Sequence, residues 1–200
     1  VQDGQPLTLD TAFADAFRTV LSDTSLDAAL RELALTLPSE MMVAERLDEI
    51  DPHAIHQARQ FMRKTLAEKL EKEWRDAWDR NRTEGTYRPV PSDAGKRALK
   101  NLALSYLLAL DNPVYCQMAI EQYNRADNMT DRLAALLDGD AEIWAFDAKP
   151  LYRLALAHGG IGKALHFDGK LAAYLLNPSA SSYEVKSLAA EYGVHAAFHC

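Results

Sequence analysis

Arg97-Ala-Leu-Lys-Asn101 and, further along, Ala126-Asp-Asn-Met-Thr-Asp-Arg-Leu-Ala-Ala-Leu136 are the stretches whose reading decides the fold. The first sits in a helix expected to start at Ser92-Asp93, with Ala98, Leu99, Leu102, Leu104, Tyr106, Leu107 and Leu110 on its apolar side. Asn112-Pro113 opens a second helix through about Ala126. Thr130 is the expected cap of a short third helix over Leu133–Leu137. Helix, tight turn and helix follow one another, as in stacked helical pairs.

Upstream the same grammar holds. Asp10 caps a helix through about Leu21, and Ser25 or Asp27 starts one carrying Leu26, Ala29, Leu30, Leu33 and Leu35. Pro38 disfavours helix at Leu37, and Ser39 is placed to cap Met41–Ile50. Asp51-Pro52 starts a long helix expected to reach Arg80, with Pro where a missing N–H costs least. Its stripe is Ile55, Ala58, Met62, Leu66, Leu70, Trp74 and Ala77, widened by Phe61 and Trp78. Asn81 to Pro91, with Gly85, Pro89 and Pro91, is the clearest loop.

After Asp138-Gly139 the pattern changes. Ala141–Phe146 is one candidate strand, expected to pack as an extended segment because a lone strand makes no sheet. Pro150–His158 is helix-like and stopped by Gly159-Gly160-Ile161-Gly162, which lacks the strand context of a phosphate loop. Further helices are expected over Asp168–Leu176 and Ser182–Tyr192.

The chain has 200 residues, 48% apolar and 26% charged, which suits one domain plus a small appendage. A net charge of −7 repels nucleic acid and anionic membrane alike. No apolar run is long enough to span a membrane. Two cysteines, Cys116 and Cys200, make no disulfide framework, so a cytoplasmic setting is expected. Val1-Gln-Asp-Gly-Gln-Pro6 has no initiator Met and no signal-peptide pattern, and suggests an internal or processed beginning.

Several words in register carry a resemblance. Ala34-Leu-Thr-Leu-Pro-Ser-Glu40, Asp51-Pro52, Arg97–Asn101 and Ala126–Asp131 resemble the C-terminal helical domain of bacterial aminopeptidase N, over about residues 8–136. That resemblance implies an α-superhelix that covers a zinc-peptidase domain and restricts access to its active site. The family's zinc site needs His-Glu-x-x-His on a helix, and neither that motif nor Gly-Ala-Met-Glu-Asn occurs here.

Trp144-Ala-Phe-Asp-Ala-Lys-Pro-Leu-Tyr-Arg153, Phe167-Asp168, Leu171–Pro178 and Ser181–Gly193 are similar to the 3′–5′ exonuclease-like domain of bacterial DNA polymerase I, over about 140–193. Active versions hold two metal ions with four acidic residues. Here Leu151 stands at one such position, and the first and last acidic motifs are not matched. Asn177-Pro178, Ser187-Leu188 and Ala197-Phe198-His199 also resemble a later stretch of aminopeptidase N, with Ser179 and Ala180 where that family has Arg. The chain is thus expected to be a mosaic, through fusion, frameshift, recombination or design.

Candidate chemistry is sparse. His53 and His56 are spaced to share a metal but lack a third ligand, so a solvent-facing pair is expected. His195, His199 and Cys200 are expected to be a frayed end. Asp127, Asp131, Asp138 and Asp140 cluster; Asp131 is expected to serve a helix N-terminus and Asn128 a turn or cap. Trp74, Trp78, Tyr106, Tyr115 and Tyr123 are expected to pack helices rather than stack bases.

The sequence therefore predicts a mainly α protein. An α-superhelix-like array over 1–137 precedes a short, mostly helical appendage over 138–200. No catalytic, cofactor-binding or metal-binding residue is assigned, and no cofactor. The expected function is a non-catalytic scaffold or interaction module whose partner is a separate aminopeptidase catalytic domain. The alternatives are a DNA-associated structural module, without nuclease activity, and a chimera with no activity of its own.

Overall fold

The computed structural model describes residues 6–83, 85–138, 143–150, 153, 165–180 and 182–191. The chain divides into two compact units, Val1–Gly139 and Asp140–Cys200. The fold is mainly α, as expected. The first unit holds α1 (Thr11–Ser22), α2 (Ala28–Leu35), α3 (Glu40–Ala44), α4 (Pro52–Lys69), α5 (Glu71–Arg80), α6 (Pro91–Leu108), α7 (Pro113–Arg125) and α8 (Met129–Asp138).

Side-chain caps set most of the starts. Asp10, Asp27, Ser39, Asp51 and Asn112 accept backbone N–H bonds from the first turns of α1, α2, α3, α4 and α7. Each satisfies a donor that the helix itself leaves open. Helix α6 begins at Pro91, inside the expected loop, and the Val90 side chain before it makes no cap bond. Asn128 rather than Thr130 caps α8, accepting from Asp131 N at 2.9 Å. Helix α3 stops at Ala44 instead of Ile50. None of its residues is buried, and Leu47 and Ile50 beyond it are exposed, so no packing extends it.

Helix α6 is the centre of this unit and packs against α2, α4, α5, α7 and α8. Leu99, Ala103, Leu104 and Leu107 are fully enclosed. Gly95 faces α2 so closely that a Cβ there would lie 2.9 Å from Ala29 N and 3.1 Å from Ala29 Cβ. Trp74 of α5 stacks on Tyr106 of α6, with ring centroids 4.1 Å apart and planes 8° from parallel. The Tyr106 hydroxyl donates to Leu35 O at 3.1 Å and so ties α2 to the same stack. Burial pushes the Tyr106 phenol up from its ordinary pKa.

The single long helix expected from Pro52 to Arg80 is broken at Leu70, whose φ of −125° and ψ of 23° leave the helical region. The cause is side-chain insertion at the ladder. Leu66 O accepts both Leu70 N at 3.1 Å and Trp74 Nε1 at 3.3 Å, while Lys69 O accepts Arg18 Nη2 at 3.3 Å. Indole and guanidinium thus fix a bend that lets Trp74 reach Tyr106.

Helix α2 turns the other way from the expected stripe. Leu35 is buried, but Leu30 is 52% and Leu33 71% exposed. Arg31 occupies the inner position instead, and its Nη1 donates to Leu21 O near the end of α1. A long side chain that reaches a helix-terminal carbonyl competes well with Leu for such a place.

The second unit corrects another expectation. The strand β1 (Ile143–Ala145) is not alone: it pairs in parallel with β2 (Leu165–Asp168), Trp144 opposite Phe167 and Ala145 opposite Asp168. Helices α9 (Gly169–Leu176) and α10 (Val185–Glu191) follow. Asp168, expected inside a helix, caps α9. Its carboxylate accepts N–H from Asp147 (3.1 Å), Ala148 (2.9 Å), Lys170 (2.9 Å) and Leu171 (3.2 Å). Desolvation opposes these bonds, yet their sum holds the Asp168 carboxyl below the usual range. Asp147, at φ 59°, stands in the left-handed region and pairs with Lys170 at 2.8 Å. Most of the expected Pro150–His158 helix, the Gly159–Gly162 stop, Leu151, Asp140, Tyr192 and the cluster of His195, His199 and Cys200 lie outside the described residues.

Gly95→Ala is expected to destabilise the first unit. The ordinary helix-propensity gain is about 1 kcal/mol, whereas overpacking against a backbone atom costs about 1–3 kcal/mol. A rise in the thermal midpoint would contradict the close α2–α6 approach. Asp168→Ala is expected to speed hydrogen exchange at the amides of 147, 148, 170 and 171, at a cost of at least about 1 kcal/mol. Because the folded carboxyl has a depressed pKa, its contribution is present above the ordinary carboxylate range. It is lost as pH falls through the folded value.

Candidate functional site

The two sequence stretches that decide the fold meet in space. Lys100 of α6 and Asp131 of α8 form an ion pair at 2.6 Å, with side chains 8% and 7% exposed. Asp131 Oδ1 also accepts Asn101 Nδ2 at 3.0 Å, and Oδ2 accepts Asn128 Nδ2 at 3.1 Å. Gln122 of α7 donates through Nε2 to Asn101 Oδ1 at 2.8 Å and to Asp131 O at 3.1 Å. Its Oε1 accepts Trp78 Nε1 of α5 at 3.2 Å. A chain of polar groups thereby runs from α5 through α7 and α6 to the start of α8.

The energetics follow from burial. A buried carboxylate is tolerated when a cation and further donors satisfy it, and removal of one partner leaves an uncompensated charge. Asp131 has a lysine and two side-chain amides, so the knot is satisfied internally. It serves the N-terminus of α8, as its first-turn position implies.

Around the knot the chain forms a cleft of about 200 Å3, lined by Trp78, Arg82, Lys100, Glu121, Arg125 and Asp127 among others. Its outer corner is the loop before α6. Tyr87 N donates to Asp127 Oδ2 at 2.6 Å. The Asn128 amide and that N–H hold the Asp127 carboxyl below the usual carboxylate range. Arg97 lies 4.7 Å from the Tyr87 ring centroid, and Arg88 pairs with buried Asp93 at 2.9 Å. Arg82 covers Trp78 at 5.1 Å.

The other singled-out residues fall elsewhere. His56 Nδ1 meets Glu40 Oε1 at 2.8 Å across α3 and α4, and His53 Nε2 meets Gln57 Nε2 at 2.8 Å. The two imidazoles therefore take separate partners. Among the described residues, no three His, Cys, Asp or Glu side chains converge to hold a metal ion. Trp74, Trp78, Tyr106 and Tyr115 are buried and pack helices as expected, while Tyr123 is 43% exposed. The Tyr115 hydroxyl donates to Glu71, and burial followed by that bond pushes its pKa up to about 12. Gln122 was not among the expected site residues. Its signal lay in its spacing, seven residues after Tyr115 and three after Ala119, a polar residue on a buried stripe. Arg82 and Arg125 gave no such signal.

Lys100→Met is expected to strand the Asp131 carboxylate and cost about 3–5 kcal/mol. In urea titrations of K100M, D131L and K100M/D131L, the double variant should lose less than the sum of the single ones. Additive losses would mean that the pair is not coupled.

Comparison with known proteins fits this geometry. The family described as Domain of unknown function (DUF3458_C) ARM repeats matches residues 1–138. The DNA polymerase I, ribonuclease H-like domain family matches residues 114–198, starting earlier than the expected residue 140 and sharing 114–138 with the first match. Aminopeptidase N of Escherichia coli (strain K12) is 42% identical over 135 residues, 68% of this chain and 15% of that protein. Aminopeptidase N of Haemophilus influenzae is 37% identical over the same shares. The crystal structure of Legionella pneumophila aminopeptidase A in complex with aspartic acid is similar at a TM-score of 0.59 and 27% identity, over 68% of this chain and 17% of that one. The chain spans about 15% of the length of the curated relatives it matches. With that span built as a packed helical array, the chain belongs to the DUF3458_C ARM-repeat family, the helical part of aminopeptidase N.

Proposed function

We propose that the chain is a non-catalytic helical scaffold, the covering module of an aminopeptidase N-like assembly whose chemistry resides in a separate zinc-peptidase domain. The observation that carries this reading is the fate of the buried polar groups between α6, α7 and α8. Lys100, Asp131, Asn101 and Gln122 are bonded to one another and to backbone, which builds an array rather than a reacting centre. Leu30 and Leu33 of α2 and Met41 and Met42 of α3, each more than half exposed, are apolar side chains available to that partner. Among the described residues no helix is long and apolar enough to cross a membrane, and we place the module in the cytoplasm. The joined likeness to two families supports a chimeric origin for the whole chain.

The second reading, a DNA-associated structural module, rests on the polymerase I match over residues 114–198. Net charge of −7 weighs against it, since nucleic-acid binding needs a basic groove.

The purified chain with added zinc is expected to leave alanyl and arginyl arylamides intact and to show no binding to primer–template DNA at low salt. Turnover that is lost on chelation would overturn the scaffold reading. Salt-dependent DNA binding would replace it with the second.

A further inference from the structure

We propose that residues 38–50 form a strap, hinged at Leu37 and Asp51, that detaches from α4 as one unit while the rest of the helical array stays folded. The basis is a contrast in burial along the chain. Leu37, at 7% exposure, is anchored in the core. Asp51 is fixed at the other end, where its carboxylate accepts His53 N at 2.9 Å and Ala54 N at 3.0 Å. Between these anchors no side chain is buried. Such a segment gains little from packing to offset the entropy lost in ordering it, which places it at the low end of local stability.

The hydrogen bonds are arranged for detachment. Ser39 O accepts Val43 N, Met41 O accepts Glu45 N, Val43 O accepts Arg46 N and Ala44 O accepts Leu47 N, and all four bonds lie inside the strap. Two contacts latch it to α4: His56 Nδ1 meets Glu40 Oε1 at 2.8 Å, and Arg59 Nε donates to Pro38 O at 2.9 Å. The His56 and Glu40 side chains are 43% and 41% exposed, so water competes for both groups. A five-residue helix does not persist alone, so release from α4 melts α3 as well. Met41, Met42, Leu47 and Ile50, all exposed, ride on the strap. Opening therefore rearranges part of the apolar surface available to a partner under the scaffold reading, although the opening itself does not rest on that reading.

The test follows amide hydrogen exchange in the full chain by NMR. The amides of Val43, Glu45, Arg46 and Leu47 are expected to share one protection factor, at least about a hundredfold below those of Leu66 and Leu104. His56→Ala is expected to lower all four by a common factor of about three and to leave Leu66 and Leu104 unchanged. In a Glu40→Ala background the same substitution should add nothing, because the latch is already gone. Native trypsin supplies a second readout: cleavage after Arg46 is expected to run about threefold faster in His56→Ala. Circular dichroism confirms that each variant is folded. Protection of the four amides equal to that of Leu66 would overturn the proposal. So would unequal responses among the four, which mark fraying, or a full effect of H56A in the E40A background. None of these outcomes bears on the scaffold reading, which rests on peptidase and DNA assays.

Discussion

The buried pairing of Lys100 with Asp131 is the constraint on which the array depends. It joins the central helix to α8 inside a region where neither charge is tolerated alone. Asn101, Asn128 and Gln122 complete the carboxylate's shell and extend it to Trp78, so that α5, α6, α7 and α8 share one polar centre. Apolar burial supplies most of the stability of such a core, but it is non-directional. The directional bonds fix which turn of α7 and α8 faces α6. On the far side of α6, the Trp74–Tyr106 stack and the hydroxyl bond to Leu35 O do the same for α5 and α2.

That centre bears on the two family likenesses. Residues 114–138 belong to both matches, yet Gln122 and Asp131 within them are bonded to Asn101 and Lys100 of α6. The shared helices are thus physically part of the helical array. The second unit stands on a different organiser, the Asp168 carboxylate, which gathers four backbone N–H groups from the β1 exit and the α9 start. An acidic residue engaged in this way is a structural cap, with its oxygens already spoken for.

Much of the first unit was legible because its signals are local. Asp10, Asp51-Pro52 and Asn112-Pro113 mark helix starts by hydrogen-bond chemistry that needs no tertiary information. The misses depend on contacts or lengths that local periodicity does not encode. The bend at Leu70 comes from Trp74 and Arg18 reaching carbonyl oxygens, which no periodicity encodes. The apolar stripe of α2 seemed to point inward because Leu outweighs Arg on any hydropathy scale. The open carbonyl of Leu21 selected Arg31 instead. Strand β2 escaped because Leu165-His-Phe-Asp168 is too short to show alternation. Asp131 was assigned correctly to a helix start, but its lysine partner lies on α6, thirty-one residues away in sequence. The cleft residues Arg82 and Arg125 have no pattern at all until α5 and α7 are packed.

Asn81 carries one more consequence. Its amide donates to Ala77 O at 2.7 Å and the residue is 4% exposed, closing the end of α5. Asn81-Arg82-Thr83 nonetheless spells a glycosylation sequon, as does Asn128-Met129-Thr130, whose asparagine amide is held by Asp127 and Asp131. A glycan on either nitrogen would have to be attached before the helices assemble. It would then forbid the helix end or the polar centre that the amide completes. Both matches to the sequon are therefore read as chance, and the two nitrogen atoms serve the helix end and the polar centre.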